Sequence, residues 1–355
     1  MNRVFSPKNF MIMAGFVGGA LAAFMTYLGN PANMGICIAC FYRDIAGALG
    51  LHRAAIVQYL RPEIMGIALG AFLSALVFGE FRARGGSAPL VRFFLGAFFM
   101  IGALVFLGCP VRAVLRLAGG DLNAVAGLAG VVAGALMGIY FLKRGFNLGR
   151  WQSTYTAAGW LMPLFMLGLL LLAIARPSFI FFSKEGPGAA HALLGVSLAA
   201  GLIIGFLAQR TRMCFVGGWR DLFLVKDTYL FSGIVAFFAG ALVVNAILGK
   251  INIGFAGQPV AHTNQLWNFL GMTLAGLTAT LLGGCPLRQT VLAGEGDTDA
   301  GVAIMGMLAG AAFAHNFQLA SSPPGPRPLR AHSRNNRSGF RRWRRVLYAG
   351  ESRLT

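Results

Sequence analysis

One passage of sequence occurs twice in this chain, and it sets cysteine, arginine and aspartate into otherwise apolar text. The first copy reads Cys37-Ile-Ala-Cys40-Phe-Tyr-Arg43-Asp44, followed by Gly108-Cys109-Pro110-Val-Arg112 and Gly119-Gly-Asp121. The second reads Cys214-Phe-Val-Gly-Gly-Trp-Arg220-Asp221, followed by Gly284-Cys285-Pro286-Leu-Arg288 and Gly294-Glu-Gly-Asp297. Cys37 to Cys214 and Arg43 to Arg220 are both 177 residues apart; Cys109 to Cys285, Arg112 to Arg288 and Asp121 to Asp297 are all 176 apart. The halves are copies in register. A duplicated apolar chain with matched polar breaks has the pattern of a transporter.

The surrounding text is apolar enough to live in lipid. Charged residues are 12% of the chain, against about 25% in a soluble domain, and the mean hydropathy is +0.68. Apolar runs long enough to cross a hydrocarbon layer of about 30 Å fall near 10–28, 64–79, 90–108, 122–142, 158–175, 191–208, 230–248, 266–284 and 299–317. The first is long and lacks a small-residue cleavage site, so it reads as a retained helix rather than a signal peptide. Four polar stretches are too short to span: 37–50 and 110–118 in the first copy, 214–225 and 286–293 in the second. Irregular backbone at membrane depth needs protein or a cavity around it, so these read as re-entrant half-helices. Five spans in the first copy would invert the second relative to it. The expected fold is therefore an all-α integral membrane protein of about nine transmembrane helices plus four short re-entrant helices. The first repeat occupies 1–178. The second, 179–326, lacks its last span. Loop Lys and Arg number 13 on the N-terminal side against 8 on the other, which favours a cytoplasmic N-terminus.

The end of the chain departs from the pattern. Residues 327–355 hold nine Arg and one Glu, where the repeat calls for a tenth apolar run. The expectation is a frameshifted or disordered segment, with lipid-headgroup binding as the rival reading. The net charge of +19, to which this segment contributes heavily, is accordingly not read as nucleic-acid binding.

The motif residues constrain the chemistry. In Gly-Cys-Pro, proline suits the first turn of a helix, so Cys109 and Cys285 fall at helix N-termini. There, free N–H groups and the dipole favour an anion and thiolate character. Arg112 and Arg288 follow one turn on. Cys37 and Cys214 share a duplicated role, whereas Cys40 is matched by Gly217 and is an addition, either a resolving thiol or a packing residue. Arg43-Asp44 and Arg220-Asp221 are matched charged pairs, either functional or structural ion pairs. Asp121 and Asp297 suit N-caps of the next span. His52, His191, His262 and His315 are scattered singly, so no metal site is expected. No phosphate-binding loop, zinc-protease helix or serine-nucleophile elbow is present, so neither an enzyme nor an ATP motor is expected, and no cofactor.

At these residues the chain resembles the YeeE/YedE family of sulfur-transport membrane proteins, and within it the branch related to selenium metabolism. The stretches that carry the resemblance are Gly29-Asn-Pro-Ala-Asn-Met-Gly-Ile-Cys37 through His52-Arg-Ala-Ala, Leu107-Gly-Cys-Pro, Ala208-Gln-Arg-Thr-Arg-Met-Cys214, Gly257-Gln-Pro-Val-Ala-His262-Thr and Gly283-Gly-Cys-Pro. It covers about residues 10–325. The resemblance implies a bacterial inner-membrane permease, hourglass-shaped, in which cysteines along a central path pass a small selenium- or sulfur-containing species. That role falls on Cys109, Cys214 and Cys285, with Cys37 added by the repeat. Cys40, Arg43, Asp44, Arg112, Arg220, Asp221 and Arg288 are the supporting set. The expected partners are the small selenium or sulfur species, the lipid bilayer and a cytoplasmic sulfur- or selenium-carrier protein. The alternative is a membrane thiol-redox protein in which Cys37 and Cys40 hand electrons or selenium to a partner. A third is a scaffold for a soluble selenium-handling protein.

Overall fold

The computed structural model describes residues 6–325. The nonpolar runs and the polar breaks all fold as helices. The long ones are α1 (Pro7–Tyr27), α3 (Pro62–Val77), α4 (Pro89–Phe106), α6 (Asn123–Lys143), α7 (Thr156–Ala175), α8 (Leu194–Thr211), α10 (Tyr229–Ile247), α11 (Gln265–Leu282) and α13 (Thr298–Asn316). The short ones are α2 (Ile38–Ala48), α5 (Pro110–Ala118), α9 (Gly217–Leu224) and α12 (Pro286–Gly294). Seven helical stretches are long and apolar enough to cross a membrane, while α3 is apolar but shorter. The chain is thus a multi-pass membrane protein. The Arg-rich segment 327–355 lies outside the described residues.

Local chemistry sets the boundaries. Proline occupies the first turn of α1, α3, α4, α5 and α12, where its missing N–H is not needed. Asn264 caps α11, accepting from Trp267 N at 3.3 Å, and Asp297 caps α13, accepting from Ala300 N at 3.0 Å. Asp121 works one residue away from the expected cap. The first helical residue of α6 is Asn123, and Asp121 accepts from its N–H at 3.0 Å and its side-chain amide at 2.8 Å.

The helices pair by exchange. α1 packs on α10 and α3 on α8; α4 packs on α13 and α6 on α11. Under the 176–177 offset α1 corresponds to α8, α3 to α10, α4 to α11 and α6 to α13, so each contact has its mate. Small residues let these backbones approach, as lipid-embedded helices require: a Cβ on Gly66 of α3 would lie 2.6 Å from Leu198 O of α8, and one on Gly102 of α4 would lie 2.5 Å from Gly271 O of α11. α7 has no counterpart among the described helices and lies against α3, α12 and α13.

Two sets of loop contacts define the ends of the bundle. At the end bearing the start of α1, Lys8 reaches Thr228 (3.3 Å), Arg210 reaches Glu80 (3.0 Å) and Arg84 reaches Asp297 (2.9 Å). Arg84–Gly85 (β1) also pairs antiparallel with Gln152–Ser153 (β2) there. At the opposite end Asn30 accepts from Ala192 N (3.0 Å), Asn252 N donates to Gly119 O (2.9 Å) and Asn316 donates to Leu51 O (3.0 Å).

Candidate functional site

All five cysteines are free and buried, and the fold gathers them into two groups. Cys37 is the N-cap of α2, and its Sγ accepts from Cys40 N at 3.4 Å. Cys109 is the N-cap of α5, and its Sγ lies 3.8 Å from that of Cys37. The second group repeats the design. Cys214 Sγ accepts from Gly217 N at 3.2 Å and from Cys285 N at 3.3 Å, and Cys285 is the N-cap of α12. Four thiols therefore sit at helix N-termini, where N–H groups are unspent by the helix. Cys40 is explained by the same geometry. What the turn uses at that position is a backbone N–H, which Gly217 supplies equally well. The extra thiol of Cys40 points at Leu107 O, 3.8 Å away.

The Gly-Cys-Pro-x-Arg text also has a steric reason. Arg112 folds back over Gly108, where a Cβ would meet its Cδ at 2.7 Å; Arg288 folds over Gly284, where a Cβ would meet its Cγ at 2.9 Å. The two guanidinium groups then differ. Arg112 donates to Asn33 O (2.8 Å), Val260 O (2.9 Å), Leu107 O and Cys40 Sγ (3.4 Å), and among the described residues it has no carboxylate partner. Arg288 pairs with Glu295 at 3.2 Å, so its charge is offset beside Cys285.

The matched Arg-Asp pairs both form, in different surroundings. Arg43 holds Asp44 at 2.6 Å with side-chain exposures of 3% and 0%. Arg220 holds Asp221 at 2.8 Å with exposures of 26% and 20%. Asp44 also receives Arg61 at 2.7 Å, whose guanidinium donates to Ala190 O (3.0 Å) and Pro187 O (2.7 Å). Arg61 was not singled out from sequence, nor was Arg116, which pairs with Asp121 at 2.6 Å and lies over the Phe106 ring. Both partnerships join residues without a shared motif. Tyr42 ties the two cysteine groups together: its hydroxyl meets that of Thr290, on α12, at 2.8 Å. Among the described residues no group of three or more His, Cys, Asp or Glu stands where it would hold a metal.

A narrow apolar cavity of about 20 Å³, room for about one water, lies between the groups. Ile36 and Ile38, which flank Cys37, line it, as do Val111 after Cys109, Met213 before Cys214 and Leu287 after Cys285. Ile36 and Met213 are 177 apart, and Val111 and Leu287 are 176 apart. Both copies thus contribute matched apolar residues to one space, each beside a motif cysteine.

Comparison with known proteins gives a consistent family. Residues 210–340 match the family described as "Sulphur transport". The chain is 32% identical over 108 residues to the thiosulfate transporter TsuA of Spirochaeta thermophila, a stretch covering 30% of this chain and 32% of that protein. It is 30% identical over 99 residues to the thiosulfate transporter TsuA of Escherichia coli, covering 28% of each. The chain thus matches about a third of the length of these curated relatives.

Proposed function

This chain belongs to the YeeE/YedE family of sulfur-transport membrane proteins, and from that premise we propose that it is a permease for a small sulfur- or selenium-containing species. Nine membrane crossings in two inverted repeats, 1–178 and 179–326, bring two re-entrant helix pairs toward each other from opposite sides of a bacterial inner membrane, with the N-terminus cytoplasmic. Cys37 and Cys109 receive the anion on one side. Cys214 and Cys285 receive it on the other. S–H and backbone N–H groups at the helix N-termini bind it weakly enough to release it, as conduction demands. The relatives are thiosulfate transporters, and thiosulfate or a selenium analogue is the substrate class carried over. Arg43, Asp44, Arg220 and Asp221 hold the short helices in place, and Arg112 adds the positive charge beside the first thiol group.

The observation that carries this reading is that one apolar cavity is lined by repeat-matched neighbours of all four motif cysteines. An apolar neck is where an ion loses its water, so hydrogen-bond donors are needed on both of its sides. Cys40 separates this account from dithiol redox chemistry. In cells lacking their own transport, uptake of labelled thiosulfate, selenite and selenide should survive Cys40→Ser, because Cys37 accepts from a backbone N–H that serine retains. It should be lost in Cys109→Ser. Loss of uptake in Cys40→Ser equal to that in Cys109→Ser would favour the redox reading instead.

A further inference from the structure

The proposed path needs a place where an anion collects before meeting a thiol, and one chamber has the features of such a place. It is an open chamber of about 640 Å³ at the end of the bundle opposite the start of α1, bounded by the 53–57 loop, the end of α13 and the 320–323 turn. Leu107 and Val260 form its floor. Their carbonyls are the acceptors of Arg112, and Leu107 O is also the neighbour of Cys40 Sγ. The chamber is therefore one layer of backbone above the Cys37, Cys40 and Cys109 group.

Its wall is cationic. Arg43 and Arg53 line it, with no Asp or Glu in the lining. Asp44 offsets Arg43. Arg53 has no carboxylate partner among the described residues, and its guanidinium is held 4.7 Å over the Phe181 ring. His315, also in the wall, stacks on His52 with ring centroids 4.5 Å apart. His52 uses both ring nitrogens, with Arg43 O at 3.0 Å and Ala54 N at 3.3 Å. His315 Nε2, by contrast, is buried with no hydrogen-bond partner among the described residues, a state few buried polar atoms keep. The carbonyl end of α13 would oppose an anion. Three of its carbonyls, those of Phe313, Ala314 and His315, are already taken, however, by the N–H groups of Phe317, Gln318, Leu319 and Ala320.

We infer that this chamber is an anion-capture vestibule, in which Arg53 and His315 hold a small chalcogen oxyanion before it passes the Leu107–Val260 floor. The inference rests on the permease reading. Its test is the concentration dependence of labelled thiosulfate and selenite uptake in Arg53→Ala, Arg53→Glu, Arg53→Lys and His315→Gln, beside Cys109→Ser. Arg53→Ala should raise KM about tenfold, the size of one charge-assisted hydrogen bond, with the maximal rate unchanged. Arg53→Glu should raise it further, Arg53→Lys should restore most of it, and His315→Gln should raise KM by a smaller factor. The wild-type KM should rise with ionic strength, and that dependence should be weaker in Arg53→Ala. Unchanged KM in both Arg53→Ala and Arg53→Glu, with Cys109→Ser inactive, overturns the vestibule and leaves the permease standing. Full uptake in Cys109→Ser overturns the permease reading itself, whatever Arg53 does.

Discussion

Asp44→Asn and Asp221→Asn change the same letter of the same repeated word, and the structure predicts very different costs. Asp44 is fully buried and carries two arginines, Arg43 at 2.6 Å and Arg61 at 2.7 Å, both also buried. Removing one partner of a buried pair costs about 3–5 kcal/mol, because a buried charge is left uncompensated. Arg61 keeps Ala190 O, Pro187 O and the Phe41 ring at 4.6 Å, which holds the figure toward the low end, about 3 kcal/mol. At about 2 °C per kcal/mol for a large chain, the unfolding temperature in detergent should fall by roughly 6 °C. Asp221 sits at 20% side-chain exposure with a single partner at 26%, and a partly solvated pair is worth about 0–1 kcal/mol. Its loss should move the same temperature by about 2 °C or less. Replacing Arg61 as well, in Asp44→Asn/Arg61→Met, should recover part of the larger loss. Equal shifts for the two aspartates, or no shift for Asp44→Asn, would refute the claim that burial of the first pair anchors α2.

Two further outcomes follow from single contacts. In Gly284→Ala the new Cβ would sit 2.9 Å from Arg288 Cγ and 3.0 Å from its Cβ, atoms near the root of the side chain that cannot swing away. Uptake should fall and stability should drop by about 1–3 kcal/mol, the usual cost of overpacking, read by transport assay and thermal melt. Glu80, in the loop after α3, accepts from Gln209 at 2.7 Å and Arg210 at 3.0 Å, and these hydrogen bonds hold its carboxyl below the usual glutamate range. A depressed folded-state value stabilises above the unfolded value and stops doing so as pH falls through the folded one. The melting difference between the wild type and Glu80→Gln should therefore be present at neutral pH and shrink as the medium is acidified below the ordinary glutamate range.

How far the sequence carried these conclusions depends on the range of each interaction. Pro110 and the Gly119-Gly pair bracket α5, so its bounds were legible to the residue, as was the capping role of Asp297. The repeat offset identified which cysteines correspond, because register survives duplication. It did not reveal that Gly217 substitutes for Cys40 through its backbone N–H, since a side-chain alphabet does not record main-chain donors. Arg61 with Asp44, Arg116 with Asp121 and Tyr42 with Thr290, residues 17, 5 and 248 apart in sequence, became visible only once the folded chain set their side chains side by side. The pairing of β1 with β2 had no signal either, because two-residue strands are too short to have a period.

The central claim is that thiols on both sides of the apolar cavity lie on one anion path. The most direct measurement is uptake of labelled thiosulfate and selenite into liposomes containing the purified chain, its Cys109→Ser variant and its Cys285→Ser variant, with insertion of each confirmed. The account predicts uptake of at least one of the two anions by the wild type, and its loss in either variant alone, since the cysteines act in series. Full uptake by both variants, or by one of them, would contradict it.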